Sequence, residues 1–167
     1  MTDAPTLTDP ARFRQVLAHF CSGIVVVTAL DGDQPIGLTC QSFSALSLDP
    51  PLVQFSPARS STTWPRIRAT GRFAINILAA HQRAVSQTFA VSGGDKFAGL
   101  RWHAGPHGQP LLDGALAHIE CRLTDSYPGG DHEIVVGHVL DLVTSEESTD
   151  PLLYFRSQYR RLQPWES

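Results

Sequence analysis

Ten hydroxyl and amide side chains crowd one stretch of this chain: Thr39, Gln41, Ser42, Ser44, Ser47, Ser56, Ser60, Ser61, Thr62 and Thr63. All of them make hydrogen bonds, none carries charge, and none does acid–base work unaided. The chemistry such a lining suits is recognition rather than proton transfer, with a large planar ligand bearing a carbonyl-rich edge and a phosphate tail as the natural occupant. The same residues also read as a hydroxyl-rich hairpin loop in an all-β domain, and composition leaves both readings open. Reactive groups elsewhere are sparse. Cys21, Cys40 and Cys121 are odd in number and form no Cys-x-x-Cys, which fits free thiols in a reducing cytoplasm. His103 and His107 stand four apart with Gly105 and Pro106 between them, so a shared helix face and a metal pair are not expected.

The elements that must position these residues follow from pattern. Residues 1–8 read as a loose polar tail. Asp9 and Pro10 form an N-cap and a first-turn proline, and Phe13, Val16, Leu17 and Phe20 give the following helix one apolar face, with Gly23 as its stop. Ile24–Leu30 is apolar on both faces and predicts a buried strand. Asp31-Gly32-Asp33 turns it into a second strand, Pro35–Thr39, which delivers Thr39 to the loop at its end. Pro50-Pro51 separates that loop from a short strand, Leu52–Ser56.

Ser60–Thr63 offers N-caps for a helix through Thr70, stopped by Gly71. A helix start with hydroxyls before it is a ready phosphate site, although ordinary capping explains the same residues. Arg72–Leu78 reads as a strand, Ala80–Phe89 as a helix, and Trp102 through Pro110 as a loop. Two long strand patterns, Ala115–Tyr127 and His132–Thr144, flank the turn Pro128-Gly129-Gly130-Asp131. Pro151–Tyr154 is a last short strand before a tail with aromatics and three arginines.

Composition bounds the rest. At 167 residues, 42% of them hydrophobic, one domain with a real core is expected. The net charge of −3 comes with no basic stripe, so nucleic acid is not an expected partner. No apolar run approaches the roughly 18 residues of a membrane span, and the first residues lack a secretion signal. No G-x-G-x-x-G sits in a βαβ unit, and the G-x-S-x-G, H-E-x-x-H and P-loop patterns are absent. Pattern alone therefore predicts a mainly antiparallel β barrel with an N-terminal helix and short inserted helices.

Gly37, Thr39, Ser42, Phe43, Ser47, Pro50, Pro51, Leu52 and Val53 together form G-x-T-x-x-S-F-x-x-x-S-x-x-P-P-L-V. This resembles the short-chain flavin reductases, the reductase components of two-component flavin-dependent monooxygenases. Asp95-Lys96-Phe97-Ala98-Gly99, Gly130-Asp131-His132, and Leu152-Leu153-Tyr154 followed by Tyr159 resemble further family segments. Cys40-Gln41 stands where many relatives carry a small residue and Asn, a difference that bears on flavin choice.

The resemblance implies a mainly β fold, a flavin-binding split barrel forming homodimers. It implies an NAD(P)H:flavin oxidoreductase passing reduced FAD or FMN by diffusion to a partner monooxygenase. It places Thr39, Cys40, Gln41, Ser42 and Phe43 around the isoalloxazine, Ser47 and Ser56 at the loop or ribityl chain, and Ser60, Ser61 and Thr62 at the phosphate. Asn76 and Lys96 are implied at the flavin edge and tail. Gly129, Gly130, Asp131 and His132 would bind the nicotinamide side, His132 beside the reacting rings, with Tyr154, Tyr159 and Arg160 on the dinucleotide. Without the resemblance, His132 reads as an exposed turn histidine, Lys96 as a solvated one-off lysine, and the C-terminal aromatics as packing. Rival readings are a tightly flavin-bound oxidase of the pyridoxamine-phosphate type, a non-catalytic flavin or haem module, and a ligand-free interaction domain. FMN against FAD, and NADH against NADPH, stay open.

Overall fold

The computed structural model describes residues 9–145 and 150–163; the predicted tail over residues 1–8 lies outside them. Helix α1 (Pro10–Leu17) is followed by β1 (Ser22–Gly23), β2 (Val25–Asp31), β3 (Gln34–Cys40), β4 (Ser44–Ser47) and β5 (Leu52–Phe55). Helix α2 (Trp64–Thr70), β6 (Arg72–Ile77) and helix α3 (Arg83–Ala90) come next. Then follow β7 (Trp102–Ala104), β8 (Pro110–Leu112), β9 (Ala117–Gly129), β10 (His132–Thr144), β11 (Leu153–Phe155) and β12 (Gln158–Arg160).

Seven strands form one antiparallel sheet in the order β3-β2-β6-β9-β10-β5-β4. The sheet curls until strands from its two ends share a core: Leu38 and Cys40 of β3 join Val53 and Phe55 of β5 in one buried cluster with Trp64, Phe73 and Val135. The rings of Trp64 and Phe73 meet that of Phe55 edge to face at 5.5 and 5.2 Å. Each such fully buried side chain contributes roughly 1.5–3 kcal/mol. This is the mainly β, split-barrel architecture the pattern and the resemblance predict. The buried run in β2 works on both faces. Val25, Val27 and Ala29 enter the barrel core, while Ile24 and Val26 pack outward against Phe89, Phe97, Leu112 and Leu152.

The two predicted hairpin turns form for a stated reason. Gly32 and Gly130, the first central residues of two-residue loops, adopt φ of +62° and +75°. That left-handed first position suits glycine and matches the strand twist.

Four expectations differ. The predicted loop between Thr39 and Pro50 carries β4, paired with β5 through Ala45↔Val53. The first helix ends at Leu17 rather than before Gly23, because Ser22 and Gly23 pair with Tyr154 and Leu153 instead. None of its residues is buried: Phe13, Val16 and Leu17 are about half exposed, and Phe20 beyond the helix is 82% exposed. The predicted loop at Trp102–Pro110 contains β7 and ends in β8, paired through Trp102↔Leu112. Its turn chemistry hid a hairpin that tertiary contacts stabilise. The predicted C-terminal tail carries β12, returned against β11 through Arg156 and Ser157.

Candidate functional site

Four loops converge on a cavity of about 470 Å³. They are the end of β3 with the residues after it, the segment following β5, the C-terminal end of α3 with Lys96 beyond it, and the tip of the β9–β10 hairpin.

Hydroxyls build the walls. Ser42 Oγ donates to the Ser56 carbonyl at 3.1 Å and accepts from the Ser56 N–H at 2.7 Å, clamping the loop after β3 to the end of β5. Cys40 Sγ lies 3.0 Å from the same hydroxyl. Thr39 Oγ1 donates to the Ser86 carbonyl at 2.6 Å, tying β3 to α3. The two can approach because β3 carries Gly37 there; a Cβ on Gly37 would meet the Phe89 ring at 2.7 Å. Ser61 Oγ accepts from the Trp64 N–H at 3.1 Å and so caps α2, leaving its own proton free among the described residues.

One end of the cavity holds a cation. Lys96 Nζ donates to the carbonyls of Gly37 and Phe89 at 3.2 and 3.3 Å. It forms no ion pair among the described residues. Burial lowers its pKa from the usual lysine value.

The opposite rim is laced to the strand end beneath it. His132 pairs with Ala58 in an isolated bridge, Arg59 N–H donates to the Asp131 carbonyl at 2.9 Å, and Glu133 N–H donates to the Pro57 carbonyl at 3.0 Å. The Glu133 carboxylate accepts from Ser126 Oγ at 2.6 Å and Trp64 Nε1 at 3.1 Å, with Arg68 at 3.4 Å. The Ser126 hydroxyl first, then the Trp64 indole, hold its pKa below the usual carboxylate value. His132 Nδ1 lies 2.7 Å from Asp131 Oδ1, and that bond, then the imidazole's charge, lowers the Asp131 pKa.

Thr39, Cys40, Gln41, Ser42, Ser56, Ser60, Ser61, Lys96 and His132 line one cavity. Others sit elsewhere. Asn76 is a correction: it is fully buried, its amide donates to the Val26 carbonyl and Thr28 Oγ1, and its carbonyl accepts from Leu112 N–H. Both its donors and one carbonyl lone pair serve the core, and it does not line the cavity. Phe43 packs against the barrel core, Ser47 lies on the edge strand β4, and Thr62 faces an adjoining chamber. Gly129, Gly130 and Asp131 shape the turn that carries His132.

Tyr159 and Arg160 line a second, open cavity of about 810 Å³ with Cys21 and Arg83. Tyr154 stacks edge to face on Tyr159 at 5.3 Å. The buried Ser86 lies between the two: Tyr159 OH is 3.1 Å from Ser86 Oγ, and the Ser86 carbonyl receives Thr39. Sequence reasoning missed Leu38, Pro57, Ala58 and the residues from Phe89 to Ser92. Apolar or backbone-only contributors carry no chemical signal; Thr63, also on the cavity, stands in the capping run and was legible there.

Among the described residues, the titratable side chains on the cavity are Cys40, Lys96 and His132. The arrangement is suited to holding and aligning rings rather than to exchanging protons with them.

Residues 17–163 match the family model described as a flavin reductase like domain. The reductase subunit HsaB of a flavin-dependent monooxygenase from Rhodococcus jostii (strain RHA1) is 45% identical over 93% of this chain and 80% of its own length. The FMN reductase (NADH) SmoA from Agrobacterium fabrum (strain C58 / ATCC 33970) is 40% identical over 89% of this chain and 84% of its own. The structure of the NADH:FAD oxidoreductase SgcE6 from Streptomyces globisporus, in complex with NAD and FAD fragments, superposes with a TM-score of 0.88 at 34% identity, covering 95% and 97% of the two chains.

Proposed function

The chain belongs to the flavin reductase like domain family and is an NADH-dependent flavin reductase of two-component monooxygenases, and from that premise we propose how its residues serve the reaction. When bound, flavin and nicotinamide supply the hydride chemistry themselves. The protein's task is to set their reacting atoms about 3–3.5 Å apart and keep them there.

The observation that carries this reading is the cavity's chemistry: uncharged walls, one unneutralised lysine at one end and one exposed imidazole at the rim. The residues fit a flavin. Backbone groups of Thr39, Cys40, Gln41 and Ser42 face the ring edge, because the Thr39 and Ser42 protons are spent on Ser86 and Ser56. Phe43, Ser47 and Ser56 hold that loop in place. Ser60, Ser61 and Thr62 meet the phosphate, Ser61 through its free proton, and Lys96 balances its charge.

His132 stands on the nicotinamide side, oriented by Asp131, on the turn formed by Gly129 and Gly130. Tyr159 and Arg160, backed by Tyr154, receive the rest of the dinucleotide in the second cavity. Reduced flavin then leaves by diffusion for the monooxygenase component. The chain folds as one domain and works as a homodimer in the cytoplasm. The exposed apolar face of Phe13, Val16 and Leu17 supports the dimer, and the free thiols of Cys21, Cys40 and Cys121 support the compartment. No helix among the described residues is long and apolar enough to cross a membrane.

The test is NADH oxidation by the purified chain with FMN, FAD, riboflavin or no flavin added. Oxidation that depends on added flavin and saturates with it is the expected result. A copurifying flavin with no NADH consumption overturns the reading.

A further inference from the structure

Helix α3 has one end at each cavity. Arg83 at its start lines the second cavity, and Phe89 and Ala90 at its end line the first. Arg83 and Phe89 stand about 9 Å apart along the axis. Between them lies Ser86, 1% exposed and on the wall of neither space.

Ser86 is tied to both sides. Its carbonyl accepts from Thr39 Oγ1 at 2.6 Å, which fixes the end of β3 where that strand reaches the first cavity. Its hydroxyl lies 3.1 Å from the Tyr159 hydroxyl on β12, at the wall of the second. The Arg83 guanidinium lies over the same tyrosine ring, 5.1 Å from its centroid. Arg83 and Ser86 are three residues apart and share a helix face, so Tyr159 holds α3 at two points on one side. Alanine would serve the helix itself better at this position. The buried hydroxyl finds its partner outside the helix, which makes it a tie between elements rather than a part of one.

The Thr39 hydroxyl is spent on Ser86, so what β3 offers a ring at this point is backbone, and its position follows the strand end. Hydride transfer tolerates little error there: a misplacement of about 1 Å costs up to roughly a hundredfold in rate. We propose that Ser86 is a positioning residue for flavin reduction. Braced by Tyr159, it sets the strand end at Thr39 and with it the plane of the flavin ring. The inference rests on the flavin reading of the first cavity and adds to it a residue that touches no ligand.

The test is an anaerobic single turnover. Flavin bound to the full chain is mixed with saturating NADH, and bleaching of the flavin absorbance reports hydride transfer directly. Ser86→Ala and Tyr159→Phe remove the same bond from opposite ends, and Tyr159→Phe keeps the ring beneath Arg83. Each should slow bleaching about tenfold, with the double variant no slower than either, while the flavin Kd moves by less than about twofold. A bond that serves stability alone lowers the melting temperature and leaves the bleaching rate of the folded protein unchanged; that outcome overturns the proposal. Losses that multiply in the double variant overturn it too, as does a loss confined to flavin affinity. An unaltered chain that binds flavin but is never bleached by NADH overturns the reductase reading instead, which separates the two failures.

Discussion

Two polar regions of this molecule use the same residue types to opposite ends. Around Asn76, side chains from the barrel pin the β7–β8 hairpin and the loop within it. Asn76 binds Leu112, Thr28 Oγ1 donates to the Pro110 carbonyl at 2.5 Å, and His118 Nε2 donates to the Leu112 carbonyl at 2.9 Å. Glu120 takes the N–H groups of His107 and Gln109 at 3.1 Å. There, Gln109 Oε1 is the one buried side-chain polar atom without a partner among the described residues. Around Ser42 and Lys96, the hydroxyls also bind the protein, yet capacity remains: the Ser61 proton, the third Lys96 proton and the far nitrogen of His132. A binding region is marked by unspent hydrogen-bonding capacity facing a cavity, not by polarity as such.

The comparison is broken or sharpened by substitution. The largest effect belongs to Asn76→Ala, which strands the Leu112 N–H in the core and removes the amide's bonds to Val26 and Thr28, and should cost about 3 kcal/mol in urea unfolding. Flavin affinity of the folded protein should not change; a matching loss of affinity would merge the two regions into one. Next comes Ser61→Asp, which sets a carboxylate against the phosphate and should weaken FMN and FAD by roughly tenfold to a hundredfold while sparing riboflavin. Uniform weakening of all three flavins sinks the phosphate assignment.

His132→Ala should lower kcat/KM for NADH by about tenfold with flavin affinity and melting temperature nearly unchanged. A parallel fall in flavin binding would put His132 against the flavin instead.

The smallest effect is a pH dependence that belongs to the structural region alone. Burial lowers the His118 pKa from 6.5, offset partly by its bond to Leu112, with His103, Asp113 and Glu120 also facing it. The folded protein keeps the imidazole neutral while the unfolded chain takes up a proton. Stability is therefore full above about pH 6.5 and falls as pH drops below it. Asp131 and Glu133, whose folded pKa values lie below 3.8 and 4.5, act only in a more acidic window. Melting temperatures from pH 7.5 down to 5.5 should decline, and His118→Gln should flatten the decline. An unchanged slope in that variant removes His118 as the cause.

Much of this contrast is legible in the amino-acid sequence. The turns at Gly32 and Gly130, the Asp9 cap and the Gly71 stop are local signals, and each element forms where local chemistry puts it. The cavity residues are legible because most fall in one run between Thr39 and Ser61 and arrive together through a hairpin. Asn76 is misplaced by sequence reasoning because a side-chain amide on a strand gives no sign of which face will be covered, or by what. Its partner Leu112 comes from 36 residues away. The β7–β8 hairpin is hidden for the same reason: its hold on the barrel comes from Asn76 and Glu120, not from its own residues.

The lacing of the His132 rim has a mechanical consequence. Ser61 caps the helix that begins at Trp64, Trp64 grips Glu133, and Glu133 follows His132. The Ser61 run and the His132 rim are thus joined through one helix start, so a change at Trp64 or Glu133 reaches both sides of the cavity.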